Sequence, residues 1–291
     1  MNTKRTLQAV YPAQPSRDGD GVRIQRIAPA GQFGLFDPFL MLDEIASDHA
    51  ADYIGGFPEH PHRGFETVTL MLKGRMRHRD HLGNEGIIGP GDVQWMSAAS
   101  GILHSEMPEQ DEGQLHGFQL WINLPAREKM APPQYREIQA DDIPLWQPSP
   151  GVVARVIAGQ IGGIQGPVQG VATQPLVVDL TLEGQAKVDI PVSSTATVVA
   201  YVFRGEATLP ASPASSGTAV VSAQHLARTH PGETFSVSNS GSHTTQLLVL
   251  AAEPLNEPIA HYGPFVMNTR DQIEQALNDF RNGTFTETTT R

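Results

Sequence analysis

Turn-forming residues recur along this chain about every eight to twelve residues, and that spacing restricts it to short strands. Lys73-Gly74, Leu82-Gly83-Asn84-Glu85-Gly86, Pro90-Gly91-Asp92 and Gly101 cut the first half into runs too short for ordinary helices. The runs between them either alternate polar with apolar residues or are continuously apolar, as at 22–27, 67–72, 76–81, 93–96 and 118–122. A total of 28 Gly and 23 Pro extends the same punctuation over the whole chain. The expectation is an all-β protein of antiparallel sandwiches or barrels.

The 291 residues suit two domains of ordinary size. A Pro-rich stretch at 131–150, with Pro132, Pro133, Pro144, Pro148 and Pro150, reads as a linker carrying one short strand near Tyr135. It divides a first barrel over 1–130 from a second over 151–291. The second half repeats the first weakly. Ala200-Tyr201-Val202-Phe203-Arg204-Gly205 parallels Leu70-Met71-Leu72-Lys73-Gly74, and Pro231-Gly232-Glu233 parallels Pro90-Gly91-Asp92. One convincing helical pattern appears, in the tail, with Ile273, Leu277 and Phe280 at helical spacing, Asn268 or Thr269 as cap and Gly283 as stop.

Two short segments carry the chemistry. His60-Pro61-His62 places two imidazoles on one face of a strand, and His104-Ser105-Glu106 places an imidazole and a carboxylate on one face of another. If the strands are neighbours, four donors converge on one ion. With no cysteine in the chain, only nitrogen and oxygen donors are available, a set that suits Fe(II), Mn, Ni, Cu or Zn. Spacing leaves open whether Glu66 or Glu106 supplies the carboxylate. Laying Gly205 on Gly74 puts Pro191, Ser193 and Thr197 where His60, His62 and Glu66 stand, so the second barrel is expected to hold no metal. His49, His78, His81, His116, His225, His230 and His261 read as exterior residues. Phe57, Trp95, Met96, Phe118 and Trp121 flank the donor segments, as cavity walls or as ordinary core.

A formal net charge of -11 argues against direct nucleic-acid binding and against an anionic membrane surface. Residues 1–10 lack an apolar signal region and no later run is long enough to span a bilayer, which points to a cytoplasmic protein.

The fuller strings are more specific. Asp37-Pro38-Phe39-Leu40-Met41-Leu42-Asp43-Glu44, His60-Pro61-His62-Arg63-Gly64-Phe65-Glu66-Thr67, Gly101-Ile102-Leu103-His104-Ser105-Glu106 and Glu253-Pro254-Leu255-Asn256-Glu257-Pro258 resemble the pirin family of two-barrel cupins. His81 is a departure, since pirins often have Ser there. The resemblance implies a bicupin, two antiparallel jelly-roll barrels with a short C-terminal helix. It implies one Fe(II) per chain on His60, His62, His104 and Glu106, with other divalent metals able to bind the same donors. Glu106 rather than Glu66 is then the carboxylate ligand and the base. The implied activity is quercetin 2,3-dioxygenase-type ring cleavage of a flavonol with O2, releasing CO and leaving a depside; apart from the resemblance, barrel edges and the tail helix allow a monomer, which is the expected state. The alternative it implies is a non-enzymatic, iron-dependent redox regulator binding transcription or metabolic-enzyme partners, in which Asp43-Glu44 and Gln110–Gly113 act as responsive loops.

Overall fold

The computed structural model describes residues 3–27, 33–212 and 217–287. Two compact units are present, one made of 14–140 with 255–291 and the other of 1–13 with 141–254. In the first, a seven-stranded sheet runs in the order Gln134–Ile138, Val93–Ser97, Phe65–Lys73, Leu115–Asn123, Phe39–Ser47, Val22–Arg26, Gln14–Asp18. A four-stranded sheet runs Phe57–His62, Ile102–Pro108, Met76–Asp80, Glu85–Ile88. All these neighbours pair antiparallel.

Apolar side chains from both sheets meet in one core, where Val22, Ile24, Ile45 and Met71 of the larger sheet pack with Met76 and Ile88 of the smaller. The sheets therefore form a sandwich of two open layers and not closed barrels, because backbone pairing stops at an edge strand of each. This is the cupin arrangement expected from the sequence, with that correction.

The second unit repeats the strand order. Its larger sheet runs Leu7–Pro12, His225–Thr229, Thr197–Arg204, Thr245–Ala252, Leu176–Leu182, Val152–Ala158, Leu145–Trp146. Its smaller sheet runs Lys187–Pro191, Thr234–Ser238, Glu206–Pro210, Thr218–Ser222. Lys187–Pro191 alternates exposed and buried residues without a break, the signature of a strand with one face on a core. The unit's apolar core cluster includes Val188, Ile190, Leu209, Phe235 and Val237.

Chain order is not the division of the structure at either end. The N-terminal strand Leu7–Pro12 pairs with His225–Thr229 in the second unit. Buried Arg5 anchors it there, donating to the carbonyls of Gly232, Ser193 and Ala196. At the other end, helix α1 (Arg270–Arg281) buries Ile273 and Ala276 against Phe265, Met267 and Phe285 of the first unit. Thr269 caps the helix: its hydroxyl accepts from the Gln272 amide, while the Gln272 side chain accepts from the Thr269 amide. The 131–150 stretch is likewise shared, giving edge strand Gln134–Ile138 to the first unit and Leu145–Trp146 to the second.

Candidate metal centre

The central strand of the site is Ile102–Pro108, which pairs with Phe57–His62 on one side and Met76–Asp80 on the other. His104 lies opposite His60 on one neighbour and opposite Asp80 on the other, while Glu106 lies opposite His78. Residues two apart share a face, so His60, His62, His104, Glu106, His78 and Asp80 all belong to one face of this small sheet. A register shift between His104 and Glu106 sets Glu106 against Phe57, as a bulge does when it re-aims a side chain.

His60 Nε2 lies 2.9 Å from His62 Nε2 and 3.0 Å from His104 Nε2. Metal–nitrogen bonds of about 2.1 Å meeting at right angles would separate donor atoms by roughly 3.0 Å, so the spacing fits three ligands on one ion. Three neutral imidazoles facing one another hold too few protons to satisfy every lone pair, and a cation resolves that. The His60 Nδ1–H donates to the Pro58 carbonyl at 2.8 Å, which leaves its Nε2 as the lone-pair nitrogen. His62 has the Pro264 carbonyl as the backbone partner of its ring.

Burial dominates the electrostatics. It lowers the pKa of His60 and holds His62 and His104 well below the ordinary imidazole range, the neighbouring imidazoles adding to the effect on the last two. All three are neutral acceptors near neutrality. Burial also raises the Glu106 carboxyl to about 7, opposed by a hydrogen bond from Thr69 Oγ1 to Glu106 Oε1 at 2.8 Å. A buried carboxylate with no cationic side chain beside it is the counterpart a divalent cation requires.

Ligand atoms of His60, His62 and His104 lie within 4.8 Å of one another, and those of His78, His104 and Glu106 do likewise. His104 is therefore common to two trios. Of the sequence-based set, His60, His62 and His104 form one trio, while Glu106 falls in the other and lines the same cavity as His60 and His62.

Glu66 stands elsewhere. It is an odd number of residues from Thr69, the residue that reaches Glu106, and so points to the other face of the Phe65–Lys73 strand. There it is buried, and desolvation raises its pKa to about 7 against the pull of Trp95, Arg136 and Ser97.

Several expectations need correction. His78 is not exterior: it is 1% exposed, and its Nδ1 lies 3.5 Å from His104 Nδ1. The signal was available, because Met76 is apolar and His78, two residues on, must share its inward face. His261 is exposed, as expected, yet it lines the cavity and lies against Phe33 with ring centroids 4.0 Å apart and planes tilted by 32°. His116 is half-buried and hydrogen-bonded to Glu44 at 2.8 Å. Asp43 and Glu44 are not a loop but buried members of Phe39–Ser47, Asp43 being clamped by Arg26 at 2.7 Å. The Gln110 side chain is tied to the carbonyls of Glu112 and Gln114 and to the Tyr53 hydroxyl.

The cavity above the imidazoles has a volume of about 610 Å³, within the range of sites that enclose a small organic molecule. Phe57 and Trp121 line it, whereas Trp95, Met96 and Phe118 are core residues. Its remaining apolar wall comes from Ile24, Phe33, Leu40 and Met41, and Gly263 and Pro264 close it from the C-terminal tail. No spacing rule connects the tail to the donor strands, so sequence reasoning missed it.

Comparison with known proteins agrees with this architecture. Residues 21–122 match the family described as Pirin, and residues 177–286 match the Pirin C-terminal cupin domain. A pirin-like protein of Caulobacter vibrioides is 45% identical over 282 residues, covering 97% of this chain and 99% of that protein. Human pirin is 39% identical over 283 residues, covering 97% and 93%. The crystal structure of a quercetin 2,3-dioxygenase from Acinetobacter baumannii superposes with a TM-score of 0.86 at 34% identity, covering 98% and 99%.

Proposed function

The chain belongs to the pirin family, and on that footing we propose that it binds one divalent metal, Fe(II), and cleaves a flavonol with O2 in the manner of a quercetin 2,3-dioxygenase. His60, His62, His104 and Glu106 would hold the metal. The observation that carries the reading is the approach of the His62 and His104 nitrogens to that of His60, at 2.9 and 3.0 Å, under an apolar-walled cavity. The solved relative named for that activity supports the substrate class.

When bound, the metal supplies Lewis acidity that makes an enol-type hydroxyl placed against it more acidic. Everything else falls to the chain. Glu106, the buried carboxylate that lines the cavity beside the imidazoles, is the group placed to accept the hydroxyl proton and return it. The Thr69 hydroxyl donates to Oε1 and so fixes the orientation of the carboxyl group. Trp121 and Phe57 offer flat apolar surface to an aromatic ring, and the three neutral imidazoles add no competing positive charge. The net change is flavonol plus O2 to depside plus CO, with both atoms of dioxygen retained in the depside.

Anaerobic loading with Fe(II), followed by quercetin and oxygen, tests the reading. Loss of flavonol absorbance with matching CO release is expected, falling at least about a hundredfold in Glu106→Gln, in line with loss of a general base. Loaded native protein no faster than that variant would end the enzymatic reading.

A further inference from the structure

Each imidazole aimed at a metal has a second nitrogen that decides which tautomer the ring adopts. In this site the three second nitrogens are treated differently: His60 and His62 face backbone carbonyls, of Pro58 and Pro264, and His104 faces another imidazole. We propose that His78, oriented by Asp80 and Gln94, is a positioning residue that accepts the Nδ1 proton of His104 and so keeps His104 Nε2 as the free donor. The proposal rests on the reading of His104 as a metal ligand.

The tautomers follow from a count of donors. Asp80 Oδ1 accepts from the Leu82 and Asn84 amides at 3.0 Å each, and Oδ2 accepts from Asn84 Nδ2 at 2.8 Å. These bonds tie the carboxylate into its own hairpin turn and orient Oδ2 towards His78 Nε2 at 3.3 Å. A carboxylate that only accepts requires the His78 proton on Nε2, which leaves Nδ1 with its lone pair. Gln94 Nε2 stands 3.1 Å from the same atom, so its amide shares that one lone pair with the His104 ring. His104 Nδ1 reaches the same atom at 3.5 Å, so of the two rings only His104 can bring the proton. Its other nitrogen, facing His60, is then bare.

The arrangement is rigid. His78 is stacked on Tyr135 with ring centroids 4.6 Å apart and planes 20° from parallel, and it is 1% exposed. Strand register holds the members level, with Asp80 opposite His104 and His78 opposite Glu106. Partners at this remove from a metal typically alter affinity by about 10–100-fold.

The test is Co(II) binding by untagged full-length protein in chelator competition, with no flavonol present. His78→Phe keeps the ring and its stack but removes the acceptor; His78→Asn returns an acceptor near the Nδ1 position. The expected result is about 10–100-fold weaker Co(II) binding in His78→Phe, with most of the loss recovered in His78→Asn. A paramagnetically shifted, exchangeable His104 N–H proton should persist in native and His78→Asn protein and be lost to fast exchange in His78→Phe. Native-like affinity in both variants would overturn the inference. So would equal weakening in both that tracks a lower melting temperature of the metal-free protein, since that is a packing effect. Native protein that binds no Co(II) would instead remove the metal-site reading, and this inference with it.

Discussion

Glu106 is the side chain whose protonation controls the site. An ordinary carboxyl is ionised above about pH 4.3, but burial lifts this one to about 7. A cation binds only the carboxylate, so binding expels the proton that the folded metal-free protein retains below that pH. The imidazoles do not oppose this near neutrality, because their pKa values are lowered and they are already deprotonated. Metal affinity should therefore rise about tenfold per pH unit as pH approaches 7 from below, then level off. Competition titrations across that range check it: Glu106→Gln should bind at least about tenfold more weakly, roughly 1.4 kcal/mol, and show no such slope. Glu66→Gln is the control. Glu66 is equally buried but on the other face of its strand, so this variant should keep both the metal and the slope.

Among the elements, the turn Arg63-Gly64 that follows His62 is where the donor sheet meets the tail. Arg63 is 3% exposed and pairs with Asp279 of helix α1 at 2.6 Å, while its guanidinium stacks over Phe285 at 4.3 Å. Lys129 Nζ joins the same turn to the tail by donating to the Gly64 and Val266 carbonyls and to Asn123 Oδ1. The two glycines beside the donor strands record how close the tail lies. Gly64 has φ +91° and no room for a Cβ, which would sit 2.0 Å from the Val266 carbonyl oxygen. Gly101 has φ +145°, and its Cβ would meet Phe285, so this glycine admits the tail and not the metal site. Asp279→Ala leaves a buried guanidinium without its anion and should cost about 3 kcal/mol in urea denaturation. Glu274→Ala, at an exposed position of the same helix, should change stability by less than about 0.5 kcal/mol. Similar losses from the two would mean that the Arg63 contact does not hold the turn.

At the scale of the molecule, the two units share one strand order, and among the described residues the clustered donors lie in the first. Pro191, Ser193 and Thr197, the residues aligned with His60, His62 and Glu66, are not buried ligands, Pro191 and Ser193 being exposed. The interior of that unit is filled by aliphatic side chains and Phe235, and among the described residues both potential metal clusters lie in the first unit. Elemental analysis should accordingly find about one metal per chain in native protein, and almost none after His62→Ala with His104→Ala. Retention of a full equivalent in that double variant would place the metal outside the three imidazoles.

The strand period by itself determined that His60 pairs with His62 and His104 with Glu106, since alternation assigns faces without reference to the rest of the fold. Turn spacing likewise determined a β architecture made twice. What alternation does not supply is which face looks inward when both are buried, as they are along Phe65–Lys73; there only packing against the second sheet separated Glu66 from the site. The same limit hid His78, although Met76 marked its face, and it hid the tail, because contacts between residues some two hundred apart leave no period in the chain. Local spacing follows from backbone geometry and is written in the residues. The choice of inward face, and of the segment that closes the cavity, is made by burial summed over distant strands, and that sum exists only in the folded protein.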